Sequence, residues 1–239
     1  MNIFNLFFLQ PILNLLIFFY NFFPIKDIGF SVIFLTIFIK VLLFPVSLSI
    51  KKSQEKLNLL QPQIETLQKK LKKAQNPEEQ KKIYQEIIEI YKKEKINPFS
   101  SLVPTIFQFF VLITLFTVFK NLFSKESLNS LLYPFLKPLE NINFLFLNII
   151  DLSKPNFFLA ILVAILQYFQ IKIYLPKNLK EKNDFINLFQ QQMLFLMPLM
   201  IFLILLKTES IFGLYWLLMI TLSILEEKYF FVKILKSKK

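Results

Sequence analysis

The sequence contains no cysteine and no histidine, and all of its 28 basic residues are lysines. Disulfides, thiolate chemistry and imidazole acid–base catalysis are therefore excluded, and the commonest metal ligand is missing. Glycine is also scarce, with 2 residues in the chain. Low glycine content fits helices, and the alternating pattern of a β-barrel is not visible. We expect neither a cofactor nor a metal site.

Apolar residues dominate what is present. The 239 residues are 55% hydrophobic and include 31 phenylalanines, with a mean hydropathy of +0.52. A soluble domain of this composition would lack the polar surface needed to cover itself, so the sequence predicts an integral membrane protein. The length allows about five membrane-spanning helices of about 20 residues each, plus loops. The predicted fold is thus a single all-α bundle.

Five apolar runs are predicted to be membrane spans, at 29–50, 98–120, 155–175, 190–206 and 211–230. An earlier apolar run, residues 1–23, carries no charged side chain. Its polar residues Gln10, Asn14 and Asn21 lie within about 40° of one another on a helical wheel. That stripe favours a helix lying in the membrane interface, with a true span as the alternative.

The charged stretch 51–96 is predicted to form a hairpin of two helices. Asn76 suits a helix N-cap, Pro77 the first helical position, and Glu79 the third position of a capping box. The hairpin is either a solvated structure held together by its apolar seam or a docking arm for soluble partners or nascent chain. The seam has spacings of three and four, as in a coiled coil, and consists of Leu57, Leu60, Ile64, Leu67, Leu71 and Ala74.

The distribution of lysine predicts the orientation in the membrane. The 51–96 segment holds twelve Lys against seven Asp and Glu, and the tail from Glu226 onward holds five Lys against two Glu. The 121–154 segment, expected to be a loop with short interfacial helices, has three of each sign. By the positive-inside rule, 51–96, 176–189 and the C-terminus face the cytoplasm and the N-terminus lies outside. The net charge of +12 therefore needs no nucleic-acid partner.

Lys40 lies near the centre of the first predicted span. A lysine at the bilayer centre costs about 2.5–3.5 kcal/mol on insertion scales. Snorkelling is one explanation, but the centre of a 20-residue helix is about 15 Å from each end, beyond the reach of one side chain. No acidic residue lies in the middle of a span to neutralise the charge. The ammonium therefore needs a polar partner or a wet cavity, and we expect a water-filled cavity.

Other polar residues inside the spans extend this hypothesis. Thr36 lies one turn before Lys40 on the same helix face, and Gln108 lies in the second span. Together with Lys40 they are predicted to line one polar groove. Taken singly, each polar residue has a simpler explanation: interhelical hydrogen bonds for Gln and Thr, and interfacial anchoring or packing for Trp and Tyr. The remaining members of this set are Gln167, Gln170, Tyr215 and Trp216.

Six stretches carry a family resemblance, in order along nearly the whole chain from Gln10 to about Tyr229. They are FIKVLLFPVS at 38–47, LQPQI at 60–64, EIIEIYKKEKINPFSSLVPTIFQ at 86–108, DLSKPNFFLAIL at 151–162, QQMLFLMPLM at 191–200 and FGLYW at 212–216. In this order, with a charged hairpin between the first two spans, they resemble the YidC/Oxa-type membrane protein insertases.

The resemblance implies a five-helix core around a hydrophilic groove that opens to the cytoplasm and to lipid. The family's groove arginine falls at Lys40, which keeps the charge but lacks the planar fork of arginine. The polar neighbours of that arginine fall at Thr36, Gln108 and, in the last span, Tyr215 or Trp216. Residues 1–25 would form the interfacial helix, and 26–239 the core, with the cytoplasmic hairpin 51–96 and a short basic tail at 231–239.

The function implied by the resemblance is that of a membrane protein insertase and chaperone, not an enzyme. Its groove would host the hydrophilic parts of nascent membrane proteins and release their apolar segments into lipid. The expected location is the bacterial inner or plasma membrane, as a multi-pass protein. Nascent membrane proteins and the lipid bilayer would be its partners. The family adds the ribosome, signal recognition components and the Sec translocon as candidates, and no specific nucleic acid.

Two other classes of function fit the sequence less well. A small polytopic transporter or channel commonly carries acidic intramembrane residues and inverted repeats, and neither is seen. A membrane enzyme would have to use Asp151, Glu140 and Glu209, which are scattered and lack a base or metal cluster.

Overall fold

The structure is a computed structural model that describes residues 5–93, 103–122, 129–137, 141–174 and 185–231. It is mainly helical, as predicted. Within the described residues, a π-helical turn at Asn5–Leu9 leads into α1 (Gln10–Phe22), and Glu226–Phe231 forms a second π-helical segment after the last α-helix. The other helices are α2 (Ile28–Lys73), α3 (Pro77–Lys93), α4 (Val103–Leu122), α5 (Phe157–Tyr174), α6 (Phe185–Leu205) and α7 (Ser210–Leu225). Two short strands, β1 (Leu145–Phe146) and β2 (Ile150–Asp151), pair antiparallel.

The predicted spans fall largely on α2, α4, α5, α6 and α7. In the described part of the chain, three helices are long and apolar enough to cross a membrane, judged by length and composition: Asn5–Phe22, Ile28–Ser53 and Ser210–Tyr229. Shorter apolar helical stretches cover Phe110–Leu122, Phe157–Ile173 and Gln192–Leu205. The chain thus has the apolar helices of a membrane protein, and a core of five spans stays a prediction.

The chain forms two compact units. The first comprises Met1–Leu42 and Ile113–Ile234, and the second Leu43–Leu112 and Leu235–Lys239. Helix α2 contributes to both, because the first predicted span and the first hairpin helix are one continuous 46-residue helix. Pro45 and Pro62 lie inside it. No glycine occurs between Ile50 and Lys73, where Lys, Gln, Glu and Leu favour helix continuation.

In the second unit, the C-terminal part of α2 packs against α3. Leu67, Ala74 and Ile83 are buried together, flanked by Leu71, Ile87 and Ile90. The predicted cap is present, because Asn76 Oδ1 accepts a hydrogen bond of 3.1 Å from the backbone N–H of Glu78. Among the described residues it is Gln80, not Glu79, that reaches back across the turn, where its Nε2 donates to the carbonyl of Ala74 at 2.9 Å.

In the first unit, one loop organises the starts of α2 and α7. The backbone N–H of Ile28 donates to the carbonyl of Asn143 at 3.1 Å, and the N–H of Ser210 donates to the carbonyl of Lys154 at 2.9 Å. Helix α5 begins directly after this loop, and Asn156 Oδ1 caps it by accepting from the N–H of Leu159. Helices α2, α5 and α7 therefore begin at the same end of the unit.

The loop contains the β1–β2 hairpin, which the sequence did not predict. Short interfacial helices were expected across 121–154, and after the end of α4 at Leu122 the described residues of this segment include one helical turn, at 129–131. Each strand has two residues, which is too short to show the alternation that identifies a strand in a sequence. The hairpin turn places Leu147 and Asn148 at positive φ, 52° and 57°. Leucine rarely adopts this conformation, so the turn must be held by its surroundings.

Asp27 holds that turn. Its side chain is buried; Oδ1 accepts from the N–H of Gly29 at 2.8 Å, and Oδ2 accepts from the N–H of Leu147 at 3.0 Å. The first bond caps α2, and the second ties the cap to the hairpin. Gly29 is required beside it, because a Cβ there would overlap the ring of Phe146.

Helix α1 lies against other loop residues of the first unit. Asn14 Nδ2 donates to the carbonyl of Leu131 at 2.9 Å, and Asn14 Oδ1 accepts from the N–H of Tyr133 at 2.6 Å. The hydroxyl of Tyr20 accepts from the N–H of Asn143. Asn14 of the polar stripe is therefore used inside the protein, and the interfacial position of α1 stays a prediction. Phe18 and Phe22 of α1 are exposed, as is Phe7 in the preceding π-helical turn.

Helices α5 and α6, together with the part of α4 from Ile113 onward, complete the first unit around α7. The ring of Phe212 in α7 lies 5.2 Å from the ring of Phe119 in α4. Helix α5 packs against both α6 and α7, and Gly213 allows close approach of Leu159 from α5. Tight packing of apolar side chains, with few polar contacts, is what such hydrophobic helices require.

Substituting Gly29 by alanine should destabilise the first unit. A methyl group there would push the ring of Phe146 and loosen the hairpin, which we expect to cost about 2 kcal/mol, or about 4–8 °C in melting temperature. Trp216 is the single tryptophan, so its fluorescence in detergent micelles can follow thermal unfolding.

Gly213→Ala is the matched control. A Cβ at Gly213 would approach the Leu159 side chain less closely, at 2.9 Å from Cδ2 and 3.1 Å from Cγ, and this flexible side chain can shift. Its melting temperature should fall less than that of Gly29→Ala. Equal melting temperatures for Gly29→Ala and the unaltered protein would contradict the role of Gly29.

Candidate functional site

The site is built around Lys40, whose side chain is 14% exposed. Its ammonium donates to Ser223 Oγ at 2.9 Å and to Glu226 Oε2 at 2.8 Å. The Glu226 side chain is 12% exposed, so both charges lie largely inside the protein. The pair connects α2 to the end of α7, and all three residues belong to the first unit.

The register of the two helices explains this meeting. Lys40 lies twelve residues after Ile28, and Ser223 lies thirteen residues after Ser210, so both are about 18–20 Å along their helices. Since both helices start from the same loop, the two residues come to nearly the same level. Glu226 lies about one turn further along. Helical side chains lean toward the N-terminus, so its carboxylate can reach back to Lys40.

This arrangement corrects the expectation that no acidic residue neutralises Lys40. The sequence favoured a water-filled cavity, whereas the structure gives the ammonium a carboxylate and a hydroxyl. Glu226 was interpreted as the start of the cytoplasmic tail, although it lay within the fifth predicted span. Its spacing of three residues from Ser223 was a usable signal, because it places two polar residues on one face of an apolar helix.

Thr36 is completely buried and satisfied within its own helix. Its Oγ1 donates to the carbonyl of Val32 at 2.6 Å, and its exposure is 0%. This is a common solution for a hydroxyl in an apolar helix. Thr36 therefore shares the face of Lys40, as its spacing predicted, but its hydroxyl is bonded to the backbone of α2.

Trp216 belongs to a separate polar chain between α7 and α5. Its Nε1 donates to Gln167 Oε1 at 3.1 Å, and Gln167 Nε2 donates to Gln170 Oε1 at 3.0 Å. The bond from Trp216 is an interhelical hydrogen bond of the kind that the simpler interpretation of the glutamines predicted, whereas the bond between Gln167 and Gln170 lies within α5. Tyr215 is buried, with an exposure of 1%. It lies eleven residues before Glu226 on α7, about 16 Å along the axis.

Gln108 lies within α4, and its side chain falls outside the described part of the chain. Its place beside Lys40 in one groove stays a prediction. Of the five predicted site residues, Lys40 and Thr36 share one face of α2, and Tyr215 and Trp216 lie on α7. The sequence missed the two residues that contact Lys40 directly, Ser223 and Glu226.

Asp151 has a local structural role. It accepts hydrogen bonds from the Ser153 hydroxyl and backbone N–H and lies 3.0 Å from the ammonium of Lys154. The Ser153 hydroxyl, followed by Lys154, lowers the pKa of Asp151 from 3.8 to about 2. Because the folded pKa is depressed, the associated stabilisation is present above 3.8 and disappears as the pH falls through about 2. Asp151 therefore stays ionised at neutral pH and does not provide an acid for catalysis.

A double-mutant cycle should detect the coupling between Lys40 and Glu226. Removing one partner leaves an uncompensated charge, so Lys40→Met and Glu226→Leu should each lose about 3 kcal/mol. The double variant should lose less than either single variant, because no unpaired charge remains. Thermal unfolding in micelles measures all four proteins. Losses that simply add in the double variant would show that the two side chains do not interact.

Comparison with known proteins agrees with the resemblance. The family model described as 60Kd inner membrane protein matches residues 18–238. The membrane protein insertase YidC of Clostridium tetani is 30% identical over 155 residues, which are 65% of this chain and 61% of that protein. YidC 2 of Staphylococcus epidermidis is 29% identical over 216 residues, and YidC of Staphylococcus aureus 28% over 217, each covering 87% of this chain and 68% of the relative.

The chain thus spans about three fifths to two thirds of the length of these relatives. The match of the family model nevertheless includes the last turn of α1, all of the later helices and the residues around Lys40. Because this match extends over far more than half of the chain, the protein belongs to the 60Kd inner membrane protein family, together with the YidC membrane protein insertases.

Proposed function

We propose that this chain is a membrane protein insertase and chaperone of the bacterial inner or plasma membrane. The observation that carries the proposal is the family match over residues 18–238, since the similar proteins are named membrane protein insertases. The mechanism needs no covalent chemistry. It requires a polar route through which the hydrophilic part of a new membrane protein can cross an otherwise apolar barrier.

The polar residues of the first unit support such a route. Lys40, Ser223 and Glu226 form one group, and Trp216 with Gln167 forms another, nearer the start of α7. Each group offers hydrogen bonds that a passing polar segment could take over in place of water. Gln108 is proposed as a further member of the groove lining. A polar groove at this depth would shorten the apolar path that the hydrophilic segment must cross.

Exposed apolar faces support the release of apolar segments into lipid. Val41 and Leu42, directly after Lys40, are more than 60% exposed, and Phe195 in α6 is also exposed. Surfaces of this kind are compatible with lipid tails. A hydrophobic segment could therefore slide along the helices while its polar end remains near Lys40.

The other architectural parts of the proposal are five spans, an interfacial α1 and a cytoplasmic arm at 51–96, made of the C-terminal part of α2 and of α3. The anchoring of Asn14 and Tyr20 to loop residues at the shared end of α2, α5 and α7 supports a position of α1 across that end. Exposed Tyr84 and Ile88 on α3 support contact of the arm with partners. Nascent membrane proteins and lipid are the proposed partners, and the ribosome, signal recognition components and the Sec translocon are further candidates.

The proposed orientation can be tested with cysteine labelling, because the chain has no native cysteine. Ile149 in the hairpin turn and Leu59 in α2 are 79% and 76% exposed, so they form a matched pair. A membrane-impermeant maleimide should label Ile149→Cys in intact cells, and Leu59→Cys only after permeabilisation. The reverse pattern would overturn the proposed topology.

Photocrosslinking during translation of a small membrane protein tests the proposed route. A photoreactive residue at Ser223, beside Lys40, should crosslink to the emerging chain, and so should one at Gln108. Phe158 at the start of α5 is 81% exposed and serves as the control, because it lies at the end of the unit away from Ser223. Crosslinks from Phe158 that equal those from Ser223 would argue against a defined path.

A further inference from the structure

The ammonium of Lys40 already has an acidic partner. Both Ser223 and Glu226 lie within 3 Å of its Nζ, and the side chain is largely covered. A carboxylate on a passing segment cannot add to this arrangement freely, because a negative charge would then face Glu226 at close range. Lys40 attracts such a segment only if Glu226 leaves.

We infer that Glu226 is a specificity-determining residue, which a carboxylate of the inserted segment must displace from Lys40. This inference rests on the proposed insertase function and deepens it. The exchange replaces one carboxylate by another, so the ammonium always keeps an acidic partner inside the apolar region. Segments that carry Asp or Glu can make the exchange. Neutral polar segments cannot replace the carboxylate, and they leave the ion pair between Lys40 and Glu226 intact.

The depths of the two residues favour displacement of Glu226 by an acidic segment over displacement of Lys40 by a basic segment. Lys40 lies about 18 Å along its helix, and Glu226 about 24 Å along α7. A hydrocarbon core is about 30 Å thick, so Glu226 lies closer to the far interface and can turn to water when it is released. Lys40 lies about one turn deeper along its helix. A basic segment that captured Glu226 would strand the Lys40 ammonium, and such segments are therefore disfavoured.

The local backbone supports movement of Glu226. It is the first residue of the π-helical segment Glu226–Phe231, whereas Ser223 still lies in the regular helix α7. π-Helical turns are rare and occur frequently at functional sites. Ser223 can therefore keep its bond to Lys40 while the next turn releases its carboxylate.

The test measures insertion into proteoliposomes that contain the full chain. Three single-span substrates differ at one position of the translocated segment, which is Asp, Asn or Lys, and are assayed in the same vesicles. The unaltered protein should insert the Asp substrate more efficiently than the Asn substrate. In Glu226→Gln, loss of the competing carboxylate should raise the Asp-to-Asn ratio by up to about tenfold. Glu227→Gln removes the same charge one residue along and should leave the ratio unchanged.

A double variant in which the two charges are swapped gives a second, independent test. Lys40→Glu combined with Glu226→Lys keeps an ion pair between the helices, so it should fold even where Glu226→Gln does not. It should reverse the preference, so that the Lys substrate is inserted better than the Asp substrate. An unchanged preference in Glu226→Gln or in the charge exchange overturns the role of Glu226. Failure of the unaltered protein to insert any substrate overturns the proposed function itself, which is a distinguishable result.

Discussion

The buried carboxylate of Asp27 is the contact on which the rest of the first unit depends. One of its oxygens caps α2, and the other holds the strained turn at Leu147. Through the same loop, α7 begins at hydrogen bonds to Lys154 and Leu152. Two helices that start from one clamped loop have a fixed register along their whole length. That register brings Lys40 to the level of Ser223, so a clamp at one end positions a charge pair about 18 Å away.

The charge pair allows two ionised side chains to lie among apolar helices. An ammonium among apolar helices is costly alone, and a carboxylate is equally costly, but the two together carry no net charge. A pair of this kind is seldom a strong source of stability, because desolvation offsets most of the attraction. Under the proposed insertase function, the pair matters because its carboxylate can be exchanged for a carboxylate of the inserted segment.

Several elements could be predicted because their signals are local. The helices follow from long apolar runs, and the Asn76 cap followed from a short motif that forms within one turn. Other features were not predicted because they depend on residues that are distant in the sequence. The sequence placed Asn14 in a polar stripe, but it could not identify the partners of its amide, Leu131 and Tyr133, which are more than a hundred residues away. The hairpin at 145–151 was missed because its strands are held by Asp27 and Gly29, not by their own sequence pattern.

The sequence by itself determined that the protein is helical and apolar and that Lys40 needs a polar partner. These properties follow from composition, periodicity and the cost of an unpaired charge in a low-dielectric region. The resemblance to the insertase family rests separately on six ordered stretches of sequence. Only the tertiary structure decided which residue that partner is. Lys40 and Glu226 are 186 residues apart, and no local pattern relates them. Their contact depends on where α2 and α7 begin, and the loop clamped by Asp27 sets both starting points.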